Sequence, residues 1–408
     1  MDKDTTKSTF IQLFESIFTK DFFKAMSDKG VDRYTKKLFA KPFIQILTYA
    51  VIQNLDGLRD ISASLANPVL SQALRLKSIS HSQIARRLNQ FPTEILQNLF
   101  INLSWQLRRE TGYHLNLIDS TTISLAVRRS SWAKFRKARC GVKLHLRVCF
   151  DYETTFPEQV SITPAKVADK KELNSLIVED PDAIHVFDRG YVDYHLYSQY
   201  IERKVRFATR LKDNALIEVI SVILNPQVKR EAVILLGEGK KRVKHPLRLI
   251  EAYDSENRLI QIISNDFETP AEEIAEIYHK RWQIELFFKW LKQHFTVKHF
   301  TVKHFYGISQ TGVENQIYIA LMAYCLMMLG KRRTASEKTL WEWVRLLKNY
   351  WFKPFTTFIQ RLHQKPLRTS QGRRRIDYET IYQMTERQVI ETLEAGHLND
   401  LTYDPLIL

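Results

Sequence analysis

Residues 183–211 read AIHVFDRGYVDYHLYSQYIERKVRFATRL and carry the most informative pattern of the chain. AIHVFD predicts an apolar strand that ends at Asp188, residues 192–203 are helix-like, and VRFATRL predicts a second strand. A strand, a helix and another strand in succession are typical of a sheet with helices packed on it. This stretch therefore predicts an α/β fold.

Further strands are predicted on both sides of this stretch. HLNLID, KLHLRVCF and EQVSIT come before it, from residue 113 onwards. After it, residues 214–266 contain the β-rich runs KREAVILL, PLRLIEAYD and RLIQIIS, with DSEN as a turn between the last two. We interpret 214–266 as a β-rich insertion, because no helical stretch alternates with its strands.

The part before residue 110 has the periodicity of helices. KPFIQILTYAVIQNL has apolar residues at helical spacing, and SHSQIARRLNQF predicts another helix with Ser80 or Ser82 as its cap. Arg86 and Arg87 would point away from the apolar face of that second helix. The pair fits either a recognition helix on DNA or a solvated basic helix in a bundle.

The composition indicates a polyanionic partner. The 408 residues include 61 Lys and Arg against 45 Asp and Glu, a net charge of +16. An excess of this size favours nucleic acid first and an anionic membrane surface second. The longest apolar run, residues 317–329, is shorter than the roughly 18 to 20 residues of a membrane span, so we expect a buried core helix.

Two other features bear on location. The first ten residues, MDKDTTKSTF, lack the pattern of a secretory signal, and we therefore expect a cytoplasmic protein that associates with DNA and not with a membrane. Cys140, Cys149 and Cys325 form no C-x-x-C pair, which predicts buried free thiols and no structural zinc site.

A polar stripe is predicted on the helix that begins at TPAEEIAEIYHKRWQIELFFKWLKQH. Thr269 is a candidate N-cap, with Glu272 in position to reach back to it. At about 100° per residue one face carries the residues Tyr278, Arg281, Glu285 and Lys292. Arg281 and Glu285 could form an ordinary ion pair on a solvated face. The aromatic residues around the stripe favour instead a face that opens into a cleft.

Two more carboxylates follow predicted strands. Asp119 ends HLNLID and Asp188 ends AIHVFD. Ligands of open α/β sheets bind beyond the carboxyl ends of the strands, although a lone Asp there is more often a turn or helix cap. Three acids converging from two strands and a helix would suit a pair of divalent cations about 4 Å apart.

Together these motifs resemble those of the DDE transposases of bacterial insertion sequences, of the Insertion Sequence 4 type with its Y-R-E-K signature. The resemblance rests on LIDSTTI around Asp119, VFDRGY around Asp188, and YHKRWQIELFFKWLK. It extends through KLHLRVC, ITPAKVAD and RFATRLK and covers roughly residues 40–330.

The resemblance implies a ribonuclease-H-like catalytic core with the β-rich insertion between its second Asp and its Glu. Asp119, Asp188 and Glu285 would bind two Mg²⁺ or Mn²⁺ ions. The enzyme would cut transposon ends through a DNA hairpin and join them to target DNA, as a homodimer that bridges two ends. Tyr278, Arg281 and Lys292 would hold phosphates near the cleaved bond.

The expected domains follow from this assignment. Residues 1–110 would form a helical N-terminal DNA-binding domain, 111–213 and 267–350 the two parts of the catalytic core, 214–266 the insertion, and 351–408 a C-terminal helical region that is a candidate for dimerisation. Relatives can use an insertion-domain Trp to receive a flipped base, and no Trp lies between 189 and 281; Tyr253 or Phe267 could replace it.

Basic residues near the predicted cleft are further candidates for DNA contacts. Arg189, Arg210 and Lys212 follow predicted strand ends. The run RRSSWAKFRKAR, residues 128–139, could track a DNA backbone or could be a solvated loop. The duplicated pentapeptide TVKHFTVKHF, residues 296–305, follows the polar stripe, and we expect it to lengthen a connector.

Two other functions remain open on the sequence. A DNA-binding remnant that has lost cleavage would keep the basic surface, and a general ribonuclease-H-like nuclease would cut without preference for particular ends.

Overall fold

The computed structural model describes residues 7–108, 114–125, 130–136, 139–150, 155–239, 242–253, 258–295, 305–307 and 309–364. The TVKHF duplication lies outside these residues except for Phe305, as do residues 128, 129, 137 and 138 of the basic run 128–139 and the C-terminal residues 365–408.

Seven helices form the N-terminal part. They are α1 (Thr9–Phe14), α2 (Lys20–Asp28), α3 (Ala40–Gln53), α4 (Leu58–Ser64), α5 (Pro68–Leu74), α6 (His81–Gln90) and α7 (Thr93–Arg108). Ser80 caps α6: its hydroxyl accepts from the Gln83 amide, and the Gln83 side chain accepts from the Ser80 amide. Ile84 and Leu88 are buried on the predicted apolar face.

The two arginines of α6 have different surroundings. Arg87 donates to the Val31 carbonyl at 3.1 Å and pairs with Asp32, so its side chain is only 14% exposed. Arg86 is exposed. The expectation that both point away from the apolar face is therefore wrong for Arg87, whose guanidinium joins α6 to the segment before α3.

Ten strands form one mixed sheet. They are β1 (His114–Leu125), β2 (Lys134–Arg136), β3 (Arg139–Phe150), β4 (Thr155–Pro164), β5 (Ala183–Phe187), β6 (Arg206–Arg210), β7 (Ile217–Ile223), β8 (Arg230–Leu236), β9 (Leu247–Tyr253) and β10 (Leu259–Ser264). The order is β2-β3-β1-β5-β6-β10-β9-β8-β7, and β4 also pairs with β3. The predicted mixture of a large sheet and helices is confirmed.

The direction of the strands divides the sheet into two kinds of pairing. β1, β3 and β4 are antiparallel neighbours, whereas β5 is parallel to β1 and β6 is parallel to β5. Helix α9 (Tyr194–Glu202) connects β5 to β6, as the sequence of residues 183–211 predicts. Strands β7 to β10 pair antiparallel and join the rest through β10 and β6, so they extend the same sheet.

The remaining helices cover the sheet and complete the core. They are α8 (Leu173–Leu176), α10 (Ala271–His279), α11 (Trp282–Phe295), α12 (Gln310–Arg333), α13 (Leu340–Tyr350) and α14 (Phe355–Leu362). α12 packs against α3, α6, α7 and β4. It is long and apolar enough to cross a membrane, but 94% of its apolar window is buried within the protein, in agreement with the predicted core helix.

A buried histidine in β5 makes the stability of the fold depend on pH. Nδ1 of His185 lies 3.3 Å from the Arg206 carbonyl, and Nε2 lies 3.2 Å from the Val178 amide, which donates to it. The ring is therefore neutral, with its proton on Nδ1. Burial, with a contribution from Arg147, lowers the pKa of His185 to about 3.

We expect this histidine to destabilise the fold in acid. The unfolded chain takes up the proton near a pKa of about 6.5, whereas the folded chain resists it until about 3. The stabilisation is thus complete above about pH 6.5 and is lost as pH falls towards 3, by up to about 1.4 kcal/mol per pH unit. Urea unfolding from pH 7 to pH 4 should give a shallower pH dependence for His185→Gln than for the unchanged protein. Equal slopes would contradict the assignment.

Candidate active site

The register of the parallel strands places two aspartates side by side. Ile118 of β1 pairs with Phe187 of β5, so Asp119 and Asp188 are the next residues of neighbouring strands. Phe187 also pairs with Thr209 of β6, which places Arg210 next in line. Two predicted acids and one predicted cation therefore share one edge of the parallel pairing.

Asp119 does not end its strand, contrary to the sequence-based prediction. β1 continues to Leu125 because it pairs with β3 from Leu115 to Leu125, with Asp119 opposite Leu146. Only the pairing with β5 stops at Ile118. Asp188 directly follows the last residue of β5, as predicted for the end of that strand, and its carboxylate accepts from the Gly190 amide at 3.4 Å in the next turn.

The predicted long helix is divided in two. α10 ends at His279 and α11 begins at Trp282, and the Arg281 amide donates to the Tyr278 carbonyl three residues back. Tyr278 therefore lies on one helix and Glu285 on the other, so the stripe is not a continuous helical face.

The start of this segment also differs from the prediction. Pro270 is the N-cap residue of α10, and no side-chain capping bond is present there. Thr269 instead donates its hydroxyl to Asp266 at 2.8 Å, and Asp266 also accepts from the Thr269 amide at 3.0 Å. The Asp266 turn therefore replaces the Thr269–Glu272 capping box.

Packing of the two helices brings the stripe to the aspartates. α11 packs on β1, and α10 packs on β6, β9 and β10. Arg281 donates to Asp119 Oδ2 at 3.1 Å and to Glu285 Oε1 at 2.8 Å. The side chains of Arg281, Asp119 and Glu285 are 19%, 20% and 30% exposed, so this ion pair network is largely screened from solvent.

The Asp119 carboxyl is shifted strongly by its surroundings. Burial, to which Glu285 and Asp188 add, raises the pKa of Asp119 to about 7, although Arg281 and the Ser120 amide oppose the rise. For Arg281, burial alone would lower the pKa, but Glu285 and Asp119 raise it above its ordinary value. Arg281 is thus protonated and acts as the internal counter-ion of two carboxylates.

Tyr278 on α10 is influenced by the charges of the same cluster. It is 8% exposed, and burial raises its pKa, with Arg281 opposing, Asp188 adding to the rise and Arg210 opposing. The structure therefore brings together Asp119, Asp188, Glu285, Tyr278, Arg281 and Arg210.

The other three predicted DNA contacts differ in their exposure. Arg189 is exposed and pairs with Asp213 at 3.2 Å, and Lys212 is exposed in the loop after β6. Lys292 is half-buried on α11. A contact of these residues with DNA stays a prediction.

Three residues near the acids were not identified from the sequence. Ser120 donates its hydroxyl to Asp169 Oδ1 at 2.6 Å and its amide to Asp119 Oδ1 at 2.7 Å. Lys289 lies one turn after Glu285 on α11, and burial lowers its pKa to about 8. The i,i+4 spacing could have revealed Lys289. Asp169 lies within ITPAKVAD, but no local pattern connects it with Ser120.

The donor set suits a hard divalent cation. Carboxylate oxygens are the preferred ligands of Mg²⁺ and Mn²⁺. Burial raises the pKa of Asp119, and the neighbouring Glu285 and Asp188 carboxylates add to the rise, so a cation bound here would favour the ionised form. Within the described residues no three acidic, His or Cys side chains are arranged to hold an ion together, since the Arg281 guanidinium lies between Asp119 and Glu285. The residue types therefore fit a metal, and binding by all three acids would require Arg281 to move.

Comparison with known proteins adds independent information. The family described as the transposase DDE domain matches residues 110–326, more than half of the chain. A protein named as a transposase of Sinorhizobium fredii is 32% identical over 56% of this chain and 64% of its own length. One named as the transposase of an insertion sequence element of Geobacillus stearothermophilus is 27% identical over 62% of this chain and 67% of its own length. The chain thus spans about two thirds of each relative.

A solved structure also shows some similarity. It is the cryo-electron microscopy structure of a piggyBac transposase synaptic complex with hairpin DNA, which is 10% identical in sequence with a TM-score of 0.45. The alignment covers 95% of this chain and 91% of that chain.

Proposed function

The chain belongs to the transposase DDE domain family, and from this premise we propose that it is a metal-dependent DNA transposase of an insertion sequence. The observation that carries the proposal is the cluster of Asp119, Asp188 and Glu285, in which one guanidinium bridges two of the acids. A buried cluster with this excess of carboxylates is costly for the fold, which indicates a functional site.

We assign Asp119, Asp188 and Glu285 as the groups that would hold two Mg²⁺ or Mn²⁺ ions. Such a pair of ions activates the attacking oxygen and stabilises the leaving oxygen of a phosphodiester. The protein's own part is to hold the carboxylates in place and to limit access of water. β1 and β5 fix the two aspartates through their register, and α11 places Glu285 above β1.

Cations around the acids would position DNA. Arg210 ends β6, and Arg281 lies between α10 and α11; their guanidinium groups would donate to phosphate oxygens. Arg189, Lys212 and Lys292 would extend this contact outwards. Tyr253 and Phe267 are 53% and 47% exposed, so either ring is accessible to a flipped base.

The finer assignment follows the sequence motifs. The order β4-β3-β1-β5-β6, with β3 antiparallel to its neighbours, supports a ribonuclease-H-like core. The sequence spacing of Tyr278, Arg281, Glu285 and Lys292 supports the Insertion Sequence 4 type. We therefore propose cut-and-paste transposition through a DNA hairpin, by a homodimer acting on terminal inverted repeats and target DNA.

Cleavage of the element's own ends tests the proposal. Purified protein should nick a duplex that carries the terminal inverted repeats when Mg²⁺ is added, and EDTA should stop the reaction. A duplex of the same composition with scrambled ends should be cut at least about tenfold more slowly. Equal cutting of both would favour a general nuclease, and binding without cutting would favour a remnant that has lost cleavage.

A further inference from the structure

We propose that Asp169 is a positioning residue for both catalytic aspartates, acting on Asp119 through Ser120. The inference rests on the proposed function, because it concerns the same acids. Asp169 begins a short 3-10 turn, Asp169–Lys171, which packs against the turn Arg189–Tyr191 that follows Asp188. Asp169 therefore lies in a turn that packs against the turn next to Asp188.

The link to Asp119 consists of two short hydrogen bonds from one residue. The Ser120 amide donates to Asp119 Oδ1 at 2.7 Å, and the Ser120 hydroxyl donates to Asp169 Oδ1 at 2.6 Å. Asp119 Oδ2 is left for Arg281, at 3.1 Å. Anchoring of the Ser120 hydroxyl by Asp169 fixes the rotamer of Ser120 and the orientation of its peptide group. The Asp119 carboxylate is thereby held in one direction.

The link to Asp188 runs through Gly190. A Cβ placed on Gly190 would lie 3.8 Å from Asp169 Oδ2 and 3.8 Å from Asp188 Oδ2. The two carboxylates thus flank the same glycine, whose amide donates to Asp188. The Asp169 carboxylate therefore lies within van der Waals reach of the turn that follows Asp188, and packing of the two turns against each other supports the position of Asp188.

Asp169 is engaged by the protein and is therefore not assigned as a metal ligand. Lys143 of β3 donates to Asp169 Oδ1 at 3.1 Å and to the Val167 carbonyl at 3.1 Å, which ties the carboxylate to its own loop. Nδ1 of the fully buried His145 lies 3.4 Å from the same oxygen. A carboxylate that already accepts from an ammonium and a hydroxyl is suited to orient its neighbours.

Metal affinity of the DNA-free, full-length protein tests the inference. Mn²⁺ binding, followed by electron paramagnetic resonance, should weaken about tenfold or more in Asp169→Asn, because loss of an outer-shell partner of a ligand has this effect. Ser120→Ala, which changes no charge, should weaken binding in the same direction. The double variant should bind Mn²⁺ no more weakly than the single variant with the larger loss, because both substitutions break the same Ser120–Asp169 hydrogen bond.

The matched control is Glu172→Gln. Glu172 accepts a hydrogen bond from the Ser161 hydroxyl at 2.7 Å, as Asp169 does from Ser120. Glu172→Gln therefore removes the same charge as Asp169→Asn and alters the same type of hydrogen bond, but Ser161 has no hydrogen bond to Asp119 or Asp188 that corresponds to the one from Ser120. It should leave Mn²⁺ affinity within about twofold of the unchanged protein. Additive effects of Asp169→Asn and Ser120→Ala, or equal losses in Asp169→Asn and Glu172→Gln, would overturn the positioning role.

A separate variant keeps the two hypotheses apart. Asp119→Asn should abolish the tight Mn²⁺ binding if the proposed function is correct. Unchanged Mn²⁺ binding in Asp119→Asn would contradict the assignment of Asp119 as a metal ligand, and with it the proposed metal site. Lost binding in Asp119→Asn with unchanged binding in Asp169→Asn would overturn the role of Asp169 alone.

Discussion

Glu285→Gln should reduce Mg²⁺-dependent DNA cleavage by on the order of 10³-fold. The neutral amide cannot replace a carboxylate as a ligand of a hard cation, and the ions are expected to supply several kcal/mol of transition-state stabilisation. Each 1.4 kcal/mol corresponds to about a factor of ten in rate. The rate of single-turnover cleavage of end-labelled DNA at saturating Mg²⁺ measures the effect.

Glu276→Gln provides the matched control for this prediction. Glu276 on α10 is also in an i,i+4 ion pair, with Lys280 at 3.4 Å, but its side chain is 65% exposed. Its loss should leave cleavage within about twofold, since exposed pairs of this type contribute little. If both variants cleave DNA at the rate of the unchanged protein, Glu285 belongs to an ordinary surface pair and has no catalytic role.

The α/β unit of residues 183–211 shows what local pattern can predict. Its strand, helix, second strand and terminal Asp188 are all present in the structure, because each element is specified by residues close in sequence. The three acids and Arg281 were also selected from the sequence. Carboxylates after predicted strands, and a carboxylate and an arginine at helical spacing, can be recognised from the sequence as candidates for metal and phosphate binding without knowledge of the exact fold.

The corrections concern pairings between distant residues. STTIS after Asp119 resembles a polar turn, but β1 continues through it because β3 pairs with these residues. The helix break at residues 280 and 281 interrupts a periodicity that is continuous in sequence, at the point where Arg281 reaches Asp119 on another element. Tertiary packing likewise determines that Arg87 pairs with Asp32 and that Ser120 donates to Asp169.

Arg281→Met should destabilise the metal-free protein by about 3 kcal/mol. Met keeps the apolar stem but removes the guanidinium, so Asp119 and Glu285 lose their shared counter-ion in a largely buried place. Breaking a buried ion pair from one side typically costs about 3–5 kcal/mol, and the partial exposure of these groups places the effect at the lower end. Urea unfolding in EDTA at pH 8, above the pKa of about 7 of Asp119 in the unchanged protein, measures the loss. Arg203→Met removes an exposed pair with Glu179 and should change stability by less than about 1 kcal/mol.

Addition of metal then distinguishes two roles of Arg281. If the carboxylates paired with Arg281 are also the metal ligands, Mn²⁺ must displace Arg281 when it binds to the unchanged protein. In Arg281→Met no guanidinium has to be displaced. At about 100 times the dissociation constant, bound metal adds about 2.7 kcal/mol of stability. The gain from a fixed Mn²⁺ concentration should therefore be larger in Arg281→Met than in the unchanged protein, by about 1 kcal/mol for each factor of five in affinity. Equal gains would show that Arg281 and the metal do not compete, and that Arg281 can keep both carboxylates while it contacts DNA.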